Sequence, residues 1–151
     1  MNTRPLWGLV GVLLTGISLH AAEPAWLTDL ARAQEQARGS NKLILAHFTG
    51  SDWCTLCTKQ ERDIFNTPAF AGYARSNLVL LKVDFPRKGI SAEKQARNNK
   101  LKERYRIQNF PTLLLLDAKG RELNRWVGYP GGGAGWLIKN LDAAKIPTAK
   151  Q

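Results

Sequence analysis

The chain has 151 residues, 44% of them hydrophobic and 23% charged, which is enough to bury the core of one ordinary domain. Its two cysteines are too few for a small scaffold held together by disulfides. The formal net charge of +10 is typical of nucleic-acid binders. Residues 1–22, however, predict export, and exported proteins rarely encounter nucleic acid. We therefore expect no nucleic-acid partner. Acidic proteins and a weak contact with anionic membrane surfaces fit this charge better.

Residues 1–22 have the order of a secretory signal peptide. Arg4 precedes the apolar run Leu6–Leu19, and small residues follow that run. The run is shorter than the ~20 residues that span a bilayer. The pattern predicts cleavage near Glu23 and a mature domain, residues 23–151, in the periplasm or outside the cell. An uncleaved N-terminal anchor and a cytosolic helix are the alternatives.

The first half of the mature chain predicts a helix, a strand and a broken helix. Apolar residues at helical spacing begin at Trp26, and the helix ends at Gly39. The apolar run 42–48 predicts a strand covered on both faces. The residues that follow predict a helix up to Phe65, which restarts at Pro68.

The second half predicts two further helices and three strands. A buried strand covers 78–85, and a polar helix covers 92–105. The strands 112–117 and 121–129 form a hairpin, and a final helix carries Leu137. Two parallel crossovers followed by a hairpin predict an α/β fold whose mixed central sheet is flanked by helices on both faces.

Both cysteines lie at the junction between the first strand and the helix that follows it. A helix N-terminus stabilises an anion, so Cys54 is expected to be a reactive thiolate. Cys57 lies one turn later on the same helix face, where it can resolve a mixed disulfide formed at Cys54. Two other interpretations stay open at this point: a structural staple, and a zinc or copper site that also uses His47.

Two segments of the sequence resemble the thioredoxin superfamily. "DWCTLC" follows an apolar strand, and "YRIQNFPTLLLLDAKG" comes about fifty residues later. The resemblance covers residues 25–141. The sequence segments "FTGSDWCTLC", "VDFP" and "GYPGGGAGW" resemble those of exported bacterial proteins of the thioredoxin_7 kind. It implies a thioredoxin-like fold with a cis bond at Pro111. It also implies a substrate groove lined by Trp53, Phe110 and Pro111, although Trp53 could equally be a packing aromatic.

The resemblance implies an exported thiol–disulfide oxidoreductase with Cys54 and Cys57 as its catalytic residues. Its partners would be protein substrates with thiols or disulfides and a redox donor, and no cofactor or metal is expected because the disulfide itself carries two electrons. Thr55 and Leu56 between the cysteines leave the direction of electron flow open. The alternative is a non-enzymatic thioredoxin-fold module that binds copper or a partner protein.

His47 matches the position of a buried carboxylate in thioredoxin that helps to deprotonate the second thiol. The resemblance implies that His47 accepts a proton from Cys57, whereas the simpler interpretation is a core histidine. The lysine partner of that carboxylate is expected to be replaced by a leucine near Leu80.

The segment from Arg87 to Arg106 is rich in lysine and arginine. Its simplest interpretation is the solvated face of a helix. Docking of an acidic partner beside the cysteines is the functional alternative.

Overall fold

The computed structural model describes residues 24–145, so the segment predicted as a signal peptide lies outside the described residues. The strands are β1 (Trp26–Leu27), β2 (Leu43–Thr49), β3 (Leu78–Asp84), β4 (Thr112–Leu116) and β5 (Glu122–Val127). The helices are α1 (Leu30–Ser40), α2 (Thr55–Gln60), α3 (Pro68–Asn77), α4 (Ala92–Arg104) and α5 (Gly133–Lys145). A π-helical turn, Glu61–Phe65, continues directly from α2.

The strands of the described region form one mixed sheet in the order β1-β3-β2-β4-β5. β3 pairs in parallel with both β1 and β2, whereas β4 is antiparallel to β2 and to β5. The crossovers and the hairpin predicted from the sequence are therefore present, and the predicted thioredoxin-like α/β fold is confirmed.

Alternating side chains of the central strands build a core on each face of the sheet, as the two-residue period of a strand requires. On one face, Ile44, Ala46 and Phe48 of β2 pack with residues of α1 and with Tyr105 beyond α4. On the other face, Leu45 packs with residues of the π-helical turn, α3 and α5. Both faces of β2 are covered, as the apolar run predicted.

The start of the first helix differs from the prediction. Trp26 and Leu27 have helical spacing in the sequence but pair with Leu80 and Leu81 as a short edge strand. The helix begins after Asp29, whose carboxylate accepts a hydrogen bond from the backbone N–H of Arg32. A side chain that caps a helix in this way fixes its first residue, which periodicity alone cannot locate.

The topology brings three chain segments to one edge of the sheet. The parallel strands β2 and β3 both end there, and the antiparallel strand β4 begins there, with Phe48 opposite Thr112. The loop before α2 and the loop before β4 are therefore neighbours. None of the helices in residues 24–145 is long and apolar enough to span a bilayer.

Candidate active site

Cys54 and Cys57 form a disulfide at the N-terminus of α2. Cys54 is the N-cap, and its Sγ accepts a hydrogen bond from the backbone N–H of Cys57 at 3.2 Å. Cys54 is 8% exposed and Cys57 is 1% exposed, so an incoming sulfur reaches Cys54 more easily. The backbone N–H groups at the start of a helix stabilise a thiolate at this position once the bond is reduced.

The loop before the cysteines is fixed by hydrogen bonds to the last residue of β3 and to the residue after it. Ser51 donates through both its backbone N–H and its hydroxyl to the carboxylate of Asp84, at 3.0 and 2.6 Å. Trp53 donates from Nε1 to the backbone carbonyl of Phe85 at 2.8 Å. Glycine at position 50 leaves room for this arrangement, because a Cβ there would overlap the indole ring of Trp53.

Aromatic side chains connect this loop to the segment before β4. The rings of Trp53 and Phe110 meet edge to face with centroids 5.6 Å apart, and Phe85 lies 5.3 Å from Phe110. The Phe110–Pro111 peptide bond is cis, and the carbonyl of Pro111 accepts a hydrogen bond from the backbone N–H of Gly128. Trp53 is 39% exposed, so much of its ring is accessible beside the disulfide.

An open cavity of about 450 Å³ adjoins Cys54. Its wall consists of hydroxyl, charged and aromatic side chains together with one cysteine of the disulfide: Ser51, Asp52, Trp53, Cys54, Thr55, Thr58, Lys59 and Arg62.

A second, smaller cavity lies beside Cys57. It has a volume of about 210 Å³, and its wall includes Cys57, Glu61 and Lys82. Lys82 Nζ and Glu61 Oε1 form an ion pair at 2.8 Å, in which each side chain is less than one third exposed. This cavity therefore places a carboxylate and an ammonium group next to the less accessible sulfur.

His47 is fully buried and lies against aromatic rings. Its ring centroid is 4.7 Å from that of Phe65 and 5.9 Å from that of Trp26, and its Nδ1 is 3.8 Å from Glu61 Oε2. Burial and the nearby charge of Lys82 lower the pKa of His47 to about 3, and the adjacent Gln60 amide offsets this only in part. A ring with so low a pKa binds a proton poorly at neutral pH, which favours the interpretation of His47 as a core residue.

The expectation that leucine replaces the lysine beside the buried site is wrong. Leu80 is buried in the hydrophobic core, while Lys82 is the direct partner of His47 across the β2–β3 pairing. The sequence prediction also missed Glu61. Its spacing of four residues from Cys57 was the available signal, because such residues share one helix face.

Within residues 24–145, no group of three or more His, Cys, Asp or Glu side chains is arranged to hold a metal ion. The described site contains the two sulfurs of the Cys54–Cys57 disulfide. A CxxC disulfide that caps a helix at the edge of a thioredoxin-type sheet is typical of thiol–disulfide oxidoreductases.

Comparison with known proteins agrees with this class. Residues 30–134 match the family model of the thioredoxin-like domain, and the chain belongs to that family. It is 38% identical over 129 residues to a disulfide bond reductase, DsbH, of Chlamydia pneumoniae, a match that covers 85% of this chain and 77% of that protein. The narrower thioredoxin_7 kind stays a prediction.

Solved structures give the same result. A structure of a DsbH oxidoreductase superposes with a TM-score of 0.75 at 34% identity, over 97% of this chain and 92% of the other. A thioredoxin from Thermus thermophilus superposes with a TM-score of 0.64 over 85% of this chain and 92% of the other, at 18% identity, which shows the fold alone.

Proposed function

We propose that this protein is an exported reductase of protein disulfides. The observation that carries the proposal is the CxxC disulfide at the N-terminus of α2, with Cys54 the more exposed sulfur. The similarity to a protein named disulfide bond reductase supports reduction as the direction. Export is supported by the signal-like pattern of residues 1–22.

The reaction begins with the protein in its dithiol form. The Cys54 thiolate attacks one sulfur of a substrate disulfide, forms a mixed disulfide and expels the other substrate sulfur as a thiolate. Cys57 then loses its proton and attacks Cys54 Sγ, which releases the second substrate thiolate and forms the Cys54–Cys57 disulfide. A separate dithiol donor reduces that disulfide again and supplies the two electrons.

The proton of Cys57 needs an acceptor, and we assign that role to Glu61 rather than to His47. Glu61 shares the small cavity with Cys57, and its pairing with Lys82 keeps the carboxylate ordered there. One water in this polar cavity is enough to connect thiol and carboxylate. His47 is fully buried and is not among the residues that line this cavity.

Trp53, Phe110 and Pro111 form the substrate groove in this proposal. Trp53 and Phe110 are in contact and lie on the two loops that converge at the edge of the sheet. The exposed part of the Trp53 ring offers apolar surface to the substrate backbone and side chains beside the disulfide.

The test is reduction of a protein disulfide such as those of insulin, with dithiothreitol as electron donor. The wild-type protein is expected to accelerate the reaction, and Cys54→Ser to abolish the acceleration. Cys57→Ser is expected to accumulate a mixed disulfide, because its Cys54 still attacks but is not released. Equal rates for wild type and Cys54→Ser would contradict the proposal, and stoichiometric Cu(I) binding without any acceleration would favour the non-enzymatic alternative.

Direction and location need two separate measurements. Equilibration with glutathione buffers, followed by titration of free thiols, is expected to give a potential close to the about −270 mV of thioredoxin. A potential near the about −120 mV of the oxidase DsbA would contradict reduction as the direction. Mass spectrometry of exported protein is expected to show a start near Glu23, whereas an intact Met1 in the soluble fraction would contradict cleavage.

A further inference from the structure

We propose that a ring of basic side chains around Cys54 docks acidic protein segments that flank the substrate disulfide. We call this ring the basic rim and define it by its cations: Lys59, Arg62, Arg87, Lys88 and Lys102. The proposal rests on the proposed function, since its occupant is the protein whose disulfide is reduced.

One side of the rim lies on α2 and the π-helical turn. Lys59 and Arg62 are in the wall of the cavity that contains Cys54, and their side chains are 50% and 70% exposed. Both contact the same carboxylate, Asp63, at 2.7 and 2.9 Å. Two cations that share one carboxylate leave a net positive charge beside the sulfur.

On the other side of the rim, Arg87 and Lys102 lie next to the aromatic rings of the groove. The guanidinium of Arg87 lies 5.8 Å from the ring centroid of Trp53. Lys102 Nζ lies 5.9 Å from the centroid of Phe85 and 5.8 Å from that of Phe110. These cations therefore sit over the rings that form the groove, where they meet the residues of a bound chain next to its disulfide.

The loop that carries Arg87 and Lys88 is held by its backbone. Asp52 accepts hydrogen bonds from the backbone N–H groups of Arg87 and Lys88 at 2.9 to 3.3 Å. In the part of the chain that the structure describes, the ion pairs do not include the side chains of Arg87, Lys88 or Lys102. Their charges are thus available to a partner.

The net charge of the basic rim indicates which protein segments bind to it. The rim brings Lys59 and Arg62 into the cavity beside Cys54 and places Arg87 and Lys102 over the aromatic rings of the groove. The carboxylates held among these cations are Asp52, Asp63 and Asp84. Glu61 is paired with Lys82 in the adjacent cavity, and the hydrogen bonds from Ser51 leave the charge of Asp84 in place, so the five cations of the rim outnumber its three carboxylates. Such a surface attracts segments rich in aspartate and glutamate and repels lysine-rich ones, which affects association rates most strongly at low salt.

The experiment uses three synthetic peptides, each with one internal disulfide, flanked by aspartates, by serines or by lysines. We expect kcat/KM to be highest for the acidic peptide and lowest for the basic one, with roughly a 10-fold or larger range at low salt. The range is expected to shrink at about 0.5 M salt, where charges more than a few ångströms apart are screened.

Two double variants with the same net charge locate the effect. Arg87→Gln with Lys102→Gln is expected to lower kcat/KM for the acidic peptide about 10-fold more than for the serine-flanked peptide. Arg32→Gln with Lys139→Gln removes two exposed cations from α1 and α5 and is expected to leave all three rates unchanged. The serine-flanked peptide also reports any change in the reactivity of Cys54, which would affect every peptide alike.

The outcomes separate this proposal from the one on which it rests. Equal rates for the three peptides, or equal losses in both double variants, would overturn the basic rim while disulfide reduction stands. Absence of reduction with every peptide would overturn the proposed function itself, and the rim with it. If the three rates are equal and the protein sediments with phosphatidylglycerol vesicles only while Arg87 and Lys102 are intact, the rim serves a lipid surface and the proposal is wrong.

Discussion

His47 and Lys82 are direct partners across the parallel pairing of β2 and β3. The imidazole is fully buried, while the ammonium of Lys82 reaches Glu61 at the edge of the small cavity beside Cys57. A neutral ring and a charged pair are thus adjacent at the end of the sheet that carries the disulfide. Burial among aromatic rings favours the interpretation of His47 as a core residue, and we assign the proposed role of proton acceptor to Glu61, which lines the cavity beside Cys57.

Because His47 is buried, the free energy of unfolding is expected to fall as the pH is lowered. The pKa of His47 is about 3 in the folded protein and about 6.5 when the chain is unfolded, so the unfolded state binds more protons between these values. The stabilising contribution is complete above about pH 6.5 and is lost toward about pH 3, at about 1.4 kcal/mol per pH unit. Urea denaturation of the oxidised protein at several pH values measures this slope.

His47→Leu is the matched variant for that measurement, because it keeps an apolar side chain among the same rings. Its stability relative to wild type is expected to improve by about 1.4 kcal/mol for each pH unit below about 6. A constant difference between the two proteins from about pH 7 to about pH 4 would show that His47 does not cause the slope.

Replacement of Glu61 by glutamine is expected to slow resolution of the mixed disulfide roughly 10- to 100-fold near neutral pH, because Cys57 loses its proton acceptor. The defect should disappear above about pH 9, where the thiol ionises without help. Stopped-flow release of substrate thiol from a preformed mixed disulfide measures the rate. Recovery at high pH distinguishes a lost base from a damaged fold.

Glu35→Gln, an exposed position on α1, is the control for the removal of one carboxylate and is expected to leave the resolution rate unchanged. His47→Leu is also expected to keep that rate. If His47→Leu slows resolution and Glu61→Gln does not, the proton acceptor is the histidine, as the family resemblance implied.

The hydrogen bond between Trp53 and Phe85 is expected to stabilise the loop before Cys54. Trp53→Phe keeps an aromatic ring against Phe110 but leaves the carbonyl of Phe85 without this donor, which costs about 1 kcal/mol. Trp53→Ala also loses the edge-to-face contact, about 1 kcal/mol, together with the apolar burial of the ring, and is therefore expected to be the less stable of the two variants. Urea denaturation of both variants measures the two steps, and equal stability of Trp53→Phe and wild type would exclude a contribution from the hydrogen bond.

Much of the fold follows from the sequence, because apolar runs bounded by turns define β2, β3 and β4, and short connections limit how these strands can pair. The strand–helix junction likewise located Cys54 and Cys57. The edge strand at Trp26 was missed because two residues are too few to show a period. The pairing of Lys82 with His47 was missed because it depends on the register between β2 and β3, and residue spacing within the sequence does not determine that register.

The features of the site that were missed depend on three-dimensional contact in the same way. No local pattern connects Trp53 to the carbonyl of Phe85, and the close approach of Gly50 to the indole ring is visible only once the loop is folded. Glu61 is the exception, since its four-residue spacing from Cys57 in the segment predicted as helix was readable in the sequence.

Gly50→Ala tests whether that close approach positions Trp53. A Cβ at position 50 would overlap the indole ring, so the ring must move away from Phe85 and Phe110, and kcat/KM for a protein disulfide is expected to fall. Gly72→Ala on α3 is the control, because a Cβ there meets no atom within 4 Å and alanine is expected to stabilise that helix by up to about 1 kcal/mol.

A double-mutant cycle tests whether the Gly50→Ala defect arises from displacement of the Trp53 ring. The Trp53→Ala variant lacks the ring that a Cβ at position 50 would overlap. Adding Gly50→Ala to this variant is therefore expected to leave its kcat/KM almost unchanged. Additive losses from the two substitutions would mean that Gly50 acts on the backbone of the loop rather than through Trp53. Strong coupling between the two substitutions would instead show that Gly50 allows the indole of Trp53 to lie beside Cys54.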